Sequence, residues 1–252
     1  MRCFLKKVGI GIALFVGTLI FLVVPMSFLI PYEEDDYLQA FFVKEKMLTE
    51  HTVPTIFLLG GSNVAFGYDS KQIEDSFQRP VVNLGLHAGF GMRFIMDHTM
   101  HHLREGDILL LSPEYRSFFF QGGNSGGEAL VELFYLTKGR ILEYLDIDQI
   151  KVIVKGTIPC VAKKIGKYVI HYIKYKPAGG PYALSGFNSY GDVVKHRGML
   201  SVPYPHKRPS KKPLDENFLN YFCQTIGELR QRGVTVFLFP PVLARTSYED
   251  IL

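Results

Sequence analysis

Tryptophan is missing from this 252-residue chain, and cysteine nearly so: Cys3, Cys160 and Cys223 are all there is. None of the close Cys/His spacings that hold zinc occurs, which excludes a finger- or ribbon-type metal site. Cys160 and Cys223 fit either one disulfide in an oxidising compartment or two separate buried thiols. Charge of one sign is scarce too. The net charge is +4, and basic residues alternate with acidic ones over most of the length. No basic run is interleaved with aromatics, so the usual footprint of a nucleic-acid partner is missing and none is expected. The glycine-rich stretch Gly60–Gly67 is followed by Tyr68 and Asp69, where a phosphate loop needs lysine and Ser/Thr. The second, Gly85–Gly91, lacks dinucleotide glycine spacing. No cofactor and no resident metal are expected. His98 and His102 are four residues apart, but no carboxylate joins them at helical spacing. With His101 they read as a solvated helix face rather than a metal site.

Hydrophobic residues make up 47% of the chain, enough for one good-sized core. The longest uncharged run is Val8–Ile30, 23 residues preceded by Arg2, Lys6 and Lys7 and followed by Glu33, Glu34, Asp35 and Asp36. That length crosses a hydrocarbon layer of about 30 Å. The basic flank predicts a cytoplasmic N-terminus, a single span and an exported remainder. A cleaved signal peptide is the rival reading, but Pro25-Met26-Ser27-Phe28-Leu29-Ile30 is a poor cleavage site. Residues 1–30 are therefore read as a membrane anchor with the lipid bilayer as partner, and 31–54 as a stalk or helix. Residues 55–252 are read as one α/β domain.

Within that domain, short apolar runs alternate with helical patterns. Thr55–Gly60, Val81–Leu84, Asp107–Leu111 and Val234–Phe239 read as strands. Asp69–Phe77, Gly91–Arg104 and Leu214–Arg232 read as helices, and Tyr37–Glu50, ahead of the domain, as a helix or stalk leading into it. The alternation predicts a doubly wound parallel sheet. An excursion over residues 115–212 does not keep it, and reads as an insertion or cap. Inside it, Ile158–Tyr175 has apolar residues at helical period with Lys163, Lys164, Lys167 and Lys174 largely off the stripe. Such a helix either lies on the membrane or packs its stripe on the sheet.

In open α/β sheets the ligand site lies beyond the carboxyl ends of the strands. Four loops should meet there: Gly60–Gly67, Asn83–Gly91, Ser112–Arg116 and Pro240–Arg245. Ser62 stands two residues past the first strand, either as a nucleophile or as a turn or N-cap serine. His87 sits at the same edge, either as a base or as a loop histidine making a local hydrogen bond. Asp192 and His196, from the excursion, are candidate contributions from a cap.

"GGSNVAFG" after a hydrophobic strand resembles the first block of the SGNH (GDSL-type) hydrolase superfamily, and "VVNLGLHAG" is similar to its second. With the tether, "SPEY" and "FNSYGDVVKHRG", the chain looks most like bacterial membrane-anchored SGNH-like proteins. Relatives of those help O-acylate exported polysaccharides or teichoic acids. The resemblance covers Thr55–Arg116 and Val234–Pro241. It implies a flavodoxin-like three-layer fold, Ser62 as nucleophile, the backbone N–H groups of Ser62 and Gly85 as oxyanion donors, and Asn83 bracing the second loop. It also implies partners such as a membrane acyltransferase or an envelope polysaccharide. Two departures stand against activity. Ser112-Pro113-Glu114-Tyr115 lacks the third-block asparagine, and no Asp-x-x-His follows the fourth strand. Ser247 and Asp250 resemble a helix start at the end of the chain, so a missing continuation is one expectation and a base supplied differently is the other. The function expected is a serine esterase or O-acyltransferase. The alternative is a catalytically inactive, membrane-tethered domain that binds a glycan or a partner protein.

Overall fold

The computed structural model describes residues 32–119, 124–173, 180–199 and 213–241, together with 6–11, 14, 17, 18, 21, 22, 25 and 28. Four strands form one all-parallel sheet: β1 (Ile56–Gly60), β2 (Val81–Asn83), β3 (Ile108–Ser112) and β4 (Thr235–Leu238), in the order β2-β1-β3-β4. The register pairs Leu58 with Asn83, Gly60 with Ser112 and Leu111 with Leu238. The expected α/β class and all four expected strands are present. Every residue of β1 is buried, as a continuous apolar run in a parallel sheet should be.

Seven α-helices surround the sheet among the described residues: α1 (Ala40–Thr49), α2 (Ser62–Gly67), α3 (Ser70–Phe77), α4 (Met92–Met100), α5 (Glu128–Leu136), α6 (Ile147–Ile173) and α7 (Glu216–Gln231). The period-two alternation of the strands sorts their side chains. Phe57, Leu59, Leu109, Leu111 and Val236 enter the main core with residues of α1, α4, α5 and α7. Ile56, Leu58 and Val81 face the other way, against Val64 and Ile73. Both faces of the sheet are thus covered, an arrangement compatible with a three-layer fold. Helix starts follow local chemistry. Asp69 accepts from Gln72 N–H ahead of α3, and Asp215 from Phe218 N–H ahead of α7.

The segment read as a stalk does more than link. Leu38, Ala40, Phe41 and Leu48 are buried in the main core, so α1 is a structural part of the α/β unit. The excursion is likewise built into the fold. Leu130, Val131 and Leu133 of α5 lie in the same core, and Tyr190 carbonyl accepts from Asn83 N–H, covering the free edge of β2. Cys160 is buried and Cys223 exposed, and both are free thiols, which corrects the expectation of a disulfide or of two buried thiols. Among the described residues no helix is long and apolar enough to cross a membrane. Much of Val8–Ile30 lies outside them, as do Lys174, the 200–212 stretch and the last eleven residues, with Arg245, Ser247 and Asp250.

Candidate functional site

β1 and β3 end side by side at Gly60 and Ser112, and the chain after each turns into the same region. α2 starts at once: Gly61 is the N-cap and Ser62 the first helical residue, half-buried. Ser62 is therefore not a turn serine but the opening of a helix, and Ser62 N–H and Asn63 N–H have no acceptor among the described residues. Asn63 Nδ2 donates to Ser112 carbonyl at 3.1 Å and to its Oγ at 3.2 Å, fastening the first loop to the end of β3.

Three loops converge on Gly61. A Cβ there would lie 2.8 Å from Glu114 Oε1 and 2.9 Å from Ala88 Cβ, so only glycine admits this approach. The Glu114 carboxylate thus packs on the residue preceding Ser62. Burial raises its pKa above the ordinary glutamate value, while Arg116, whose Nε is 3.5 Å from Glu114 Oε2, pulls it back. Glu114 stands where the superfamily's third block carries asparagine. Nothing in the linear pattern marked it as an ionisable partner of the serine loop. The signal was its place after β3, at the same sheet edge as Ser62.

The second loop is held from below by a buried polar frame. Asn83 is fully buried: its Oδ1 accepts from Gly85 N–H at 2.9 Å, and its Nδ2 donates to Val64 carbonyl at 3.0 Å and to Asp192 Oδ1 at 2.8 Å. Asp192, also fully buried, accepts in addition from Ser70 N–H, Ser70 Oγ and Asn188 Nδ2. Lys44, from the buried face of α1, donates to the carbonyls of Asn83, Gly85 and Gly191 at 2.8, 2.6 and 2.6 Å. Burial pushes its pKa down to about 7, against the pull of Asp192. Neither Lys44 nor Asp192 reaches the edge; both position the loop that does.

Two expected site residues are reassigned by this geometry. Gly85 N–H is consumed by Asn83 Oδ1 and is not offered to a substrate. A Cβ at Gly85 would come within 2.5 Å of Ala65 N, so the loop lies directly on α2 with no room for an acyl group between them. His87 Nδ1 accepts from Gly89 N–H at 2.9 Å, capping the 3-10 turn Ala88–Phe90. Its lone pair is engaged, and burial by neighbouring chain lowers its pKa although one edge of the ring is exposed. His87 is a local loop histidine rather than a base for Ser62. It borders an open cleft of about 400 Å³ with Tyr37, Arg116, Lys163 and Tyr182. His196 meets the Phe66 ring at a tilt, with centroids 5.0 Å apart.

The histidine-rich face of α4 also departs from expectation. His98 is buried, packed between Phe41, Phe94 and Tyr144 and 3.4 Å from Glu45 Oε1. α1 and the turn Arg140–Tyr144 cover that side, so only His101 stays exposed. Among the described residues no group of three or more His, Cys, Asp or Glu could hold a metal ion.

Taken together, the fold and its edge define an α/β protein with a parallel sheet whose strand ends carry Ser62 and, against the preceding Gly61, the Glu114 carboxylate. No protein-family model, no curated protein and no solved structure matches the chain.

Proposed function

We propose that the chain is a membrane-anchored, exported SGNH-like serine esterase or O-acyltransferase in which Ser62 is the nucleophile and Glu114 the base. The observation that carries this reading is the packing of the Glu114 carboxylate on Gly61, beside Ser62, with the Ala88 loop closing the third side. Ser62 Oγ attacks the acyl carbon of an ester while its proton passes to Glu114. That proton then leaves on the departing alkoxide, and the acyl group stays on Ser62. Water or a sugar hydroxyl next gives its proton to Glu114, attacks the acyl carbon, and releases Ser62, which takes the proton back. The free N–H of Ser62 is one donor for the oxyanion. The reacting ester is an acylated envelope glycan, by the resemblance described above.

A second reading, a non-catalytic glycan- or partner-binding domain, is favoured by one observation: Gly85 N–H and His87 Nδ1 are both engaged locally. Fluorophosphonate labelling and p-nitrophenyl acetate hydrolysis by the full chain in detergent separate the two. The enzyme reading expects labelling that is lost in Ser62→Ala. Glu114→Gln should slow turnover by about 10²–10⁴-fold. Labelling and turnover that are the same with and without Ser62 leave the binding domain as the function.

A further inference from the structure

α6 is 27 residues long and carries five lysines against one aspartate. One side of it packs on α5. Tyr135 Oη and Thr157 Oγ1 are 2.8 Å apart, Gly156 lies against Val131, and Lys163 pairs with Glu128 and Glu132. Ile153, Thr157, Cys160 and Val161 are buried on that side. The apolar stripe read from the sequence is therefore split. Val161 packs inward, while Ile158, Ala162 and Val169 face out.

The outward residues form a band of their own. Val154, Ile158, Ala162 and Val169 follow each other by 4, 4 and 7 positions, the spacing of one helix face. Val154 is 69% exposed and Ile158 46%. Lys155 is exposed on the flank of this band, and Lys151, exposed and 2.7 Å from Asp148 Oδ1, stands in line with its first turn. An apolar stripe edged by lysines is the pattern of a helix lying in a lipid–water interface.

The place where the N-terminal apolar run ends selects the occupant. Tyr32, two residues past Ile30, donates its hydroxyl to Glu132 carbonyl of α5, and Lys164 of α6 stands 3.7 Å over its ring. Phe28 meets Tyr135 edge-on at 5.0 Å. The end of the uncharged Val8–Ile30 run is thus tied to the α5–α6 pair. If that run spans a bilayer, α6 is held at the bilayer surface.

We propose that the outward face of α6 lies on an anionic lipid surface, with Val154, Ile158, Ala162 and Val169 in the interface and Lys151 and Lys155 on headgroup phosphates. This rests on the reading of Val8–Ile30 as the anchor. A second contact beside the anchor stops the domain from swivelling, and Lys163 of the same helix borders the His87 cleft. The cleft is thereby carried close to the membrane, where acyl chains and lipid-linked glycans reside.

The test uses the full chain in vesicles with a bimane probe at Val154→Cys, an exposed position whose substitution leaves the core intact. Cys3 and Cys223 are replaced by serine. Cys160 is retained, because its thiol is buried and pushed up to about 11, and so labels slowly. In vesicles containing phosphatidylglycerol and nitroxide lipid, the probe should be quenched several-fold, and less in pure phosphatidylcholine. The pair Lys151→Glu and Lys155→Glu should weaken quenching at least two-fold with co-flotation unchanged. A chain that floats with the vesicles after a carbonate wash but shows no quenching overturns this inference alone. A chain that does not float overturns the anchor reading, and this inference with it. Disulfide-linked dimers of the unlabelled Val154→Cys chain under a mild oxidant, with no quenching of the labelled one, would assign the face to a second copy and overturn the lipid proposal.

Discussion

Replacing Lys44 with methionine tests the frame that holds the second loop. The side chains are of similar length and bulk, so the packing change is small. What disappears is a donor group. Lys44 is 4% exposed, and its three partners are the backbone carbonyls of Asn83, Gly85 and Gly191, which no mutation removes. A buried acceptor left without a donor costs about 1–3 kcal/mol. Relief from burying the ammonium group offsets part of the sum, leaving a net loss of about 3–5 kcal/mol, as for breaking a buried charged contact. For a domain of this size that is a fall in Tm of roughly 6–20 °C. The chain has no tryptophan, so far-UV circular dichroism of the detergent-solubilised protein is the assay. The pH dependence gives a second reading. Burial lowers the Lys44 pKa to about 7 from the ordinary lysine value of 10.5, so between those values the unfolded chain binds more protons than the folded one. Stability contributed by this group therefore rises with pH across that window. The gap between wild type and Lys44→Met should widen by about 2 kcal/mol from pH 7 to pH 9. A variant melting within about 2 °C of wild type, or a gap that ignores pH, refutes the reasoning.

Three further substitutions probe the edge. In Gly85→Ala the new Cβ meets Ala65 N at 2.5 Å and Val64 Cβ at 2.7 Å, both rigid, so a loss of at least about 1–3 kcal/mol in urea unfolding is expected. Gly61→Ala meets the Glu114 carboxylate at 2.8 Å and Ala88 Cβ at 2.9 Å, so fluorophosphonate labelling and the melting point should both fall. All four atoms that Asp192 binds are donors, so Asp192→Asn sets an amide N–H₂ against one of them and should cost about 1–3 kcal/mol in the same unfolding assay. For the pH–rate profile, only the ionised form of Glu114 accepts the Ser62 proton. With the carboxyl raised by burial, turnover should climb with pH through a limb above the usual glutamate range, and Glu114→Gln should abolish that limb.

Much of the scaffold could be read along the chain because it is set by local pattern. "IFLLG" is too short for a helix and apolar throughout, and it became the fully buried β1. The helical patterns over Asp69–Phe77 and Leu214–Arg232 became α3 and α7, and the structure adds their caps, Asp69 and Asp215. The serine loop after β1 was legible for the same reason, because strand ends in a parallel sheet share an edge. The partners of that loop were not legible. Gly85 and Asn83 are two residues apart, and whether the glycine's N–H faces a substrate or its neighbour's amide depends on how α2 lies across the loop. His87 was an open choice until Gly89 N–H took its Nδ1.

What the sequence by itself determined is therefore the four strands with the helices α1, α3, α4 and α7, the class of sheet, and the one edge where Ser62 and Glu114 had to end up; α2, read as a loop, and α5, inside the excursion, came from the structure. Period and run length are properties of neighbours along the chain. The tertiary structure decided everything that needs two distant segments to meet. Lys44 reaches three carbonyls as far as Gly191, Asp192 joins Ser70 to Asn83, and His98 is sealed by Glu45 and Tyr144. These polar groups are far apart in sequence and gain partners only when the core closes. A buried polar atom must be paired, but no rule of spacing says with what.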